Sequence, residues 1–306
     1  MPRRRLVVLT SVAAVLAAGC ANMPAPAVVP TAPLASDVVA DARTLDQPSN
    51  AARVDAVQSL LRRRGLPFTL QTFPNTSRQR DPREQGTNVI VDLPGPAGPE
   101  IIVGAHLDAA ALKAGGYSHG MVDNGAGVVV LVRAAEALRA RRLRHRVRIV
   151  FFDMEEIGLA GSRHFASLLD KAGVAAMVNV DIAGYGDTIL SGAAPGAESL
   201  RHSLARVCAA RNYACMAFPS LPNSDDRSFQ AAGIPAISLA VLPALEAHQI
   251  WLLLNGGKES GLTPGFAPSI LRTIHTPEDT ADKLTPQGMT LIHDTVVGLV
   301  LELDAR

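Results

Sequence analysis

The stretch Phe151–His164, FFDMEEIGLAGSRH, decides how this chain folds. The apolar run that leads into it (Val147, Ile149, Val150, Phe151, Phe152) has the composition and length of a buried strand. The run stops at Asp153, two adjacent carboxylates follow at Glu155 and Glu156, and Gly158-Leu159-Ala160-Gly161-Ser162 marks a helix start. The carboxyl end of a buried strand is where an α/β sheet collects its chemistry. Neighbouring glutamates point in different directions, so one can bind a metal while the other handles a proton. Taken alone, the pair is more simply a solvated loop whose acids suit a helix N-terminus. The rest of the chain changes that balance.

The chain has 306 residues, 48% hydrophobic and 19% charged, enough to bury a sizeable core. A net charge of +1 gives no reason to expect nucleic acid or an acidic partner. Residues 1–20 read as a signal: Arg3, Arg4 and Arg5, then an apolar run over Leu6–Leu16, then Ala17-Ala18-Gly19-Cys20. The apolar run is too short to span a bilayer comfortably. The small residues before Cys20 resemble a bacterial lipoprotein signal, which makes Cys20 the lipidated first residue and the membrane a partner through its anchor. Export to the periplasmic side follows, and Ala21 after the cysteine favours the outer membrane if the host has one. Residues 21–39 are an Ala/Pro-rich tether. Two cysteines remain, Cys208 late in an expected helix and Cys215 in an expected strand, with a turn at Arg211-Asn212. They read either as a disulfide suited to an oxidising compartment or as two small buried hydrophobes.

Strand and helix patterns alternate from residue 40 to 306 without a linker, so we read one α/β domain. Ser49 or Asn50 caps a helix that Gly65 stops. Strands are expected at 68–73, 88–93, 101–103, 147–152, 174–180, 188–190 and 236–241, and long helices at 128–140, 198–210 and 285–303. Residues 243–270 show no period and read as an irregular excursion. Acids and imidazoles recur where apolar strands end or in the loops just beyond: His106, Asp108, Asp123, Glu155, Glu156, Asp181 and His275. One such residue is noise, but this many at successive strand ends is a signal. The donor types suit two zinc ions, since zinc takes imidazole nitrogen and carboxylate oxygen. Three carboxylates leave the ions a residual positive charge, which lowers the pKa of a water between them.

The ordered motifs HLD, DNGAG, EEIGLAGS, NVDIAG, SDDRSFQAAGIPA and IHTPEDT resemble the di-zinc aminopeptidases of the bacterial secreted type, which are related to glutamate carboxypeptidase and glutaminyl cyclase. The resemblance covers about residues 88–300. It implies a mixed, mainly parallel eight-stranded sheet flanked by helices, and a peptide substrate. Position by position it implies that Asp123 bridges the metals, that His106 and Asp181 complete one, and that Glu156 and His275 complete the other. Glu155 becomes the general base, and Asp108 fixes the tautomer of His106. The chain departs from the family at Asp226, where an imidazole is common, and at Ile274, where many relatives carry an aromatic.

Weaker claims attach to the other histidines. His145, His202 and His293 read as surface residues and His164 as structural, while His119 and His248 sit in loops that could border a pocket. Asp225 and Asp226 read as helix-capping acids. Arg227 is the one conceivable cationic clamp for a substrate carboxylate. Three functions compete: a di-zinc aminopeptidase, a glutaminyl cyclase-like acyltransferase working with one zinc, and a non-catalytic binding lipoprotein. The complete ligand set favours the first.

Overall fold

A computed structural model describes Leu34 and residues 37–77, 81–96, 98–219 and 221–306. Cys20 and the Ala/Pro-rich segment before Leu34 lie outside the described residues. Eight strands, β1 (Thr69–Pro74), β2 (Gln85–Leu93), β3 (Glu100–His106), β4 (Val147–Phe152), β5 (Val174–Val180), β6 (Thr188–Ala193), β7 (Cys215–Phe218) and β8 (Ala236–Leu242), form one sheet in the order β1-β2-β4-β3-β5-β8-β6-β7. β4, β3, β5 and β8 run parallel at its centre, while β1, β2 and β6 enter antiparallel pairs. This is the mixed, mainly parallel sheet that the sequence implied. His106 pairs in register with Phe152, so the ends of β3 and β4 emerge together.

The helices among the described residues are α1 (Val38–Arg43), α2 (Asn50–Arg63), α3 (Ala126–Arg139), α4 (Ala160–Ser167), α5 (Glu198–Arg211), α6 (Asp226–Ala231), α7 (Ala244–Asn255), α8 (Ile270–Thr273) and α9 (Pro286–Asp304). They cover both faces of the sheet. In β3, Ile101, Val103 and Ala105 face a large core shared with α2, α3, α5 and α9. Ile102 points the other way, into a smaller core with Phe152, Phe165 and Phe229. That alternation is the two-residue period of a strand buried on both sides. The three phenylalanine rings lie 5.7 to 6.1 Å apart, which fastens α4 and α6 to the sheet.

Local chemistry sets the helix starts. The Ser49 hydroxyl accepts the Ala52 N–H at 3.2 Å, and the Thr285 hydroxyl accepts the Gly288 N–H at 3.0 Å. Cys208 and Cys215 form a disulfide that ties the end of α5 to the start of edge strand β7.

Two expectations are corrected here, and one helix is added. Residues 243–270 are not wholly irregular, because Ala244–Asn255 is helical. Its leucines point all round the helix, so no apolar stripe marks it in the sequence. His293 is buried rather than on the surface, its Nδ1 2.9 Å from Asp294 Oδ1, because α9 packs against both α3 and α5. α1, which no sequence pattern singled out, is held by Arg133 of α3, whose guanidinium reaches Asp37 and Asp41 at 2.9 Å. No helix among the described residues is long and apolar enough to cross a membrane.

The disulfide closes a loop with a sequence separation of 7. Replacing both cysteines with alanine is expected to cost about 2 kcal/mol, mostly through the freed unfolded chain. The lowered midpoint of urea unfolding measures it, and wild type under reductant should match the double variant.

Candidate metal centre

The centre is assembled at the carboxyl edge of the sheet. His106 closes β3, Asp123 sits in the turn before α3, Glu155 and Glu156 follow β4, Asp181 follows β5, and His275 follows α8. The two oxygens of Asp123 face opposite ways. Oδ1 is 2.9 Å from His106 Nε2 and Oδ2 is 3.1 Å from His275 Nε2. His106 Nε2 also lies 3.4 Å from Asp181 Oδ1, and His275 Nε2 lies 3.1 Å from Glu156 Oε2. Two donor sets result, His106–Asp123–Asp181 and Asp123–Glu156–His275, each with its ligand atoms within 4.8 Å of one another. Asp123 belongs to both. Glu155 lies within the same distance of His106 and Glu156 and outside both of these sets.

The supports are made largely by backbone. The Asp108 carboxylate accepts the N–H groups of Glu155 at 3.0 Å and Glu156 at 3.2 Å, so it fixes the turn that carries both acids. The partner nearest His106 Nδ1 is the Asp108 carbonyl at 3.2 Å, with the carboxylate at 3.6 Å. A proton on Nδ1 donated to that carbonyl leaves Nε2 facing Asp123 and Asp181. Asp153 is a strut: buried, it takes Arg83 through both oxygens at 2.8 and 3.0 Å and also the Thr87 N–H. Gly161 packs so closely beneath this turn that a Cβ would come within 2.3 Å of the Asp153 carbonyl. Ile182 (φ 68°) and His275 (φ 57°) are held in the left-handed region, where a β-branched residue is strained.

Burial dominates the electrostatics. It pushes Glu155 well above the ordinary carboxylate range, and the nearby Asp181, Asp225 and Glu156 add to it. Burial and Asp123 push Glu156 up to about 7. His275 is pushed up to about 11 by Asp123 and Glu156. Burial opposes a charge on His106, yet the surrounding carboxylates raise it well above its usual value. Burial would raise Asp123 too, but the two imidazoles carry it below the carboxylate range. The cluster therefore favours added positive charge. Glu156 Oε1 is buried with no hydrogen-bond partner. Imidazole nitrogens, carboxylate oxygens and this orphaned atom fit a divalent metal of the zinc class.

A cavity of about 510 Å³ opens on Asp123, Glu155, Glu156, Asp181 and His275. Its far wall is apolar: Leu190, Leu221, Ala240, Leu242, Ile250, Ile270, Leu271 and Ile274. Among the described residues no lysine or arginine lines it.

A family model for peptidase family M28 matches residues 88–300. The chain belongs to peptidase family M28. Leupeptin-inactivating enzyme 1 of Streptomyces exfoliatus is 30% identical over 139 residues, which is 44% of this chain and 29% of that protein. A zinc aminopeptidase of Bacillus subtilis superposes with a TM-score of 0.55 at 20% identity, over 72% of this chain and 50% of that one. A glutaminyl cyclase of Porphyromonas gingivalis superposes with a TM-score of 0.65 at 20% identity, over 87% of this chain and 95% of that one. At such identities the structural likenesses show the shared fold. The chain spans about 29% of the length of the first curated relatives it matches.

Within this M28 chain the weaker sequence expectations sort out. Asp225 stands at the N-cap position of α6 but makes no capping bond, and both Asp225 and Asp226 are buried, each pushed up to about 7 by that burial. The capping role is therefore corrected. α6 starts against the acid-rich edge, too deep for water to take up the charge. His119 pairs with Asp46 and His248 with the Ala244 carbonyl, both exposed, and neither lines the cavity. His164 stacks on Phe73 at 5.5 Å, the structural role expected. Arg227 donates to Gln230 and to the Leu221 carbonyl rather than lining the cavity.

Two supports had no place in the sequence reading. Asp279, within the quoted IHTPEDT motif, accepts the N–H groups of Met121, Val122 and Asp123 at 3.1, 2.6 and 3.1 Å. Arg53 is fully buried beneath the same loops and donates to the carbonyls of Leu45, Leu107, His119 and Gly120. Asp279→Ala leaves the buried N–H groups of Val122 and Asp123 without a partner, while the Met121 N–H keeps the residue 279 carbonyl, so it should cost about 2 kcal/mol of stability. It should also loosen Asp123, seen as weaker retention of zinc during dialysis against a graded chelator, while Asp279→Asn, which keeps one acceptor oxygen, falls between.

Proposed function

We propose that this chain is a zinc-dependent aminopeptidase that removes an apolar N-terminal residue from peptides. One observation carries the reading: an acid-rich wall and an apolar wall share a single cavity lined by no lysine or arginine among the described residues. The chain offers a substrate carboxylate no lysine or arginine there, whereas an aliphatic or aromatic first side chain finds Ile250, Leu271 and Ile274. The family and the naming of curated relatives as probable leucine aminopeptidases support it.

His106, Asp123 and Asp181 would hold one zinc, and Asp123, Glu156 and His275 the other, with Asp123 shared. Zinc bound there supplies Lewis-acid activation of a water and of the scissile carbonyl. Glu155 is close to both donor sets without belonging to either. Its buried carboxylate has a proton affinity raised well above that of an ordinary carboxylate, the direction a general base needs. It takes the proton from the attacking water and delivers it to the leaving amine. Asp108 fixes the direction of that transfer by pinning the Glu155 N–H. Lipidation at Cys20 would place the enzyme on the periplasmic side of a membrane, with the outer membrane favoured.

The extensive overlap with the cyclase fold supports a second reading, intramolecular acyl transfer at an N-terminal glutamine. The test is hydrolysis of leucyl, phenylalanyl, alanyl and glutamyl p-nitroanilides by the full chain in detergent, with and without chelator. Leucyl and phenylalanyl amides should be cleaved fastest, chelator should abolish release, and zinc should restore it. Glu155→Gln should lower kcat by about 10³-fold with zinc content unchanged. No release from any amide by a zinc-loaded chain, with cyclisation of a glutaminyl peptide, would replace the first reading by the second.

A further inference from the structure

α7 has a weak footing. Of its 12 residues only Ala247 and Ile250 are buried, while Leu245 and Leu254 are 70% and 47% exposed. Apolar burial alone does little to hold it, so its polar contacts decide where it sits. Glu246 makes two. Its Oε1 accepts the Tyr185 hydroxyl at 2.7 Å, and its Oε2 accepts the Ile270 N–H at 2.8 Å. Burial and Glu246 push the Tyr185 phenol up to about 12, so it remains a donor throughout the neutral range.

The partners come from different sides of the cavity. Tyr185 belongs to the loop that leaves Asp181 and Ile182, and Ile270 opens the helix that leads to Ile274 and His275. α7 itself contributes Ile250 to the apolar wall. One carboxylate therefore joins three segments that meet around the cavity. Nearby, the Ala244 N–H donates to Asp187 at 3.0 Å, and the Gly186 backbone packs so tightly on Leu242 and Pro243 that a Cβ there would lie 2.1 Å from the Leu242 carbonyl carbon. The start of α7 is thus fixed, and Glu246 sets how far the rest swings.

We propose that Glu246 is a positioning residue that holds α7 against α8 and the Tyr185 loop, and so sets the width of the apolar wall that receives the substrate's first side chain. The proposal rests on the aminopeptidase reading for its substrate consequence. Without the Glu246 carboxylate, α7 and α8 part and Ile250 and Leu271 recede. A leucyl or phenylalanyl side chain then loses contacts that an alanyl side chain never made.

The experiment compares Glu246→Ala, Glu246→Gln and Tyr185→Phe in the full chain. Three readouts are taken: kcat and KM on alanyl, leucyl and phenylalanyl p-nitroanilides, zinc per chain, and acrylamide quenching of Trp251. Trp251 is the chain's single tryptophan and lies on α7, so it reports on that helix whether or not the chain is active. Glu246→Ala should raise KM for the leucyl and phenylalanyl substrates about tenfold, with kcat and the alanyl KM within twofold. Zinc should stay bound and Trp251 should become more quenchable. Glu246→Gln should restore wild-type behaviour, because its amide oxygen can accept the Ile270 N–H and its NH₂ can donate to the Tyr185 oxygen. Tyr185→Phe should fall between. Unchanged leucyl-to-alanyl discrimination with unchanged quenching overturns the proposal, as does an even loss on all substrates accompanied by zinc loss. If wild type cleaves no amide, the aminopeptidase reading fails, and the quenching of Trp251 still decides whether Glu246 holds α7.

Discussion

Mutual repulsion among buried carboxylates is the constraint on which this structure turns. Asp123, Glu155, Glu156 and Asp181 crowd one cavity wall, with Asp225 behind them, and the positive groups among them are two imidazoles. Such a set is unstable unless it gains positive charge, because each buried anion raises the cost of ionising the next. Burial and the neighbouring carboxylates raise Glu156, and Asp123 and Glu156 raise His275, so the cluster favours added positive charge. A divalent metal held by Asp123 and its neighbours would supply it, and metal binding and folding would then be coupled. The carboxylates are costly to the chain alone and become useful only as ligands.

That cost explains why the supports are backbone contacts rather than salt bridges. A lysine or arginine placed among the ligands would satisfy the acids and quench their affinity for metal. The chain instead anchors its ligand loops from behind. Asp108 holds the amides of Glu155 and Glu156, Asp279 holds those of residues 121–123, and Arg53 gathers four carbonyls one layer below. The fixed amides and carbonyls orient the side chains, and two nearby cations hydrogen-bond outside the donor sets: Arg53 to those carbonyls, and Arg83 to Asp153 and Asp81. Left-handed φ angles at Ile182 and His275 are the local strain this scaffold must hold.

His106, Glu155, Glu156 and Asp181 were legible in the sequence because two simple signals coincide at each: an apolar run ends, and a residue able to bind zinc follows at the strand end, which works wherever parallel strands share one carboxyl edge. Asp123 and His275 lie in loops away from a strand end, and there the ordered motifs carried the reading. Asp279 was hidden because a carboxylate that accepts backbone amides needs no particular spacing from its partners. Arg53 was hidden for the same reason, and buried arginine is rare enough to be read as surface. The disulfide stayed ambiguous because two cysteines on neighbouring elements have the same sequence signature whether they pair or merely pack. α7 escaped periodicity because its leucines face solvent as well as core, and His293 was misplaced because a helix packed on two sides has no polar face to mark its exposed edge.

The cavity divides its labour by origin in the chain. Its ligand wall comes mainly from the turns after β3, β4 and β5, where register with neighbouring strands leaves little freedom. Much of its apolar wall comes from the excursion between β8 and α9, which touches the sheet lightly and is tied by few bonds. A change in the first wall would move the donor atoms of Asp123, Glu155, Glu156 and Asp181. A change in α7 would move mainly hydrophobic surface, which tolerates displacement and alters what fits. On the proposed reading, a lightly packed helix beside a rigid cluster of acids and imidazoles lets the apolar lining vary more freely than the donor atoms.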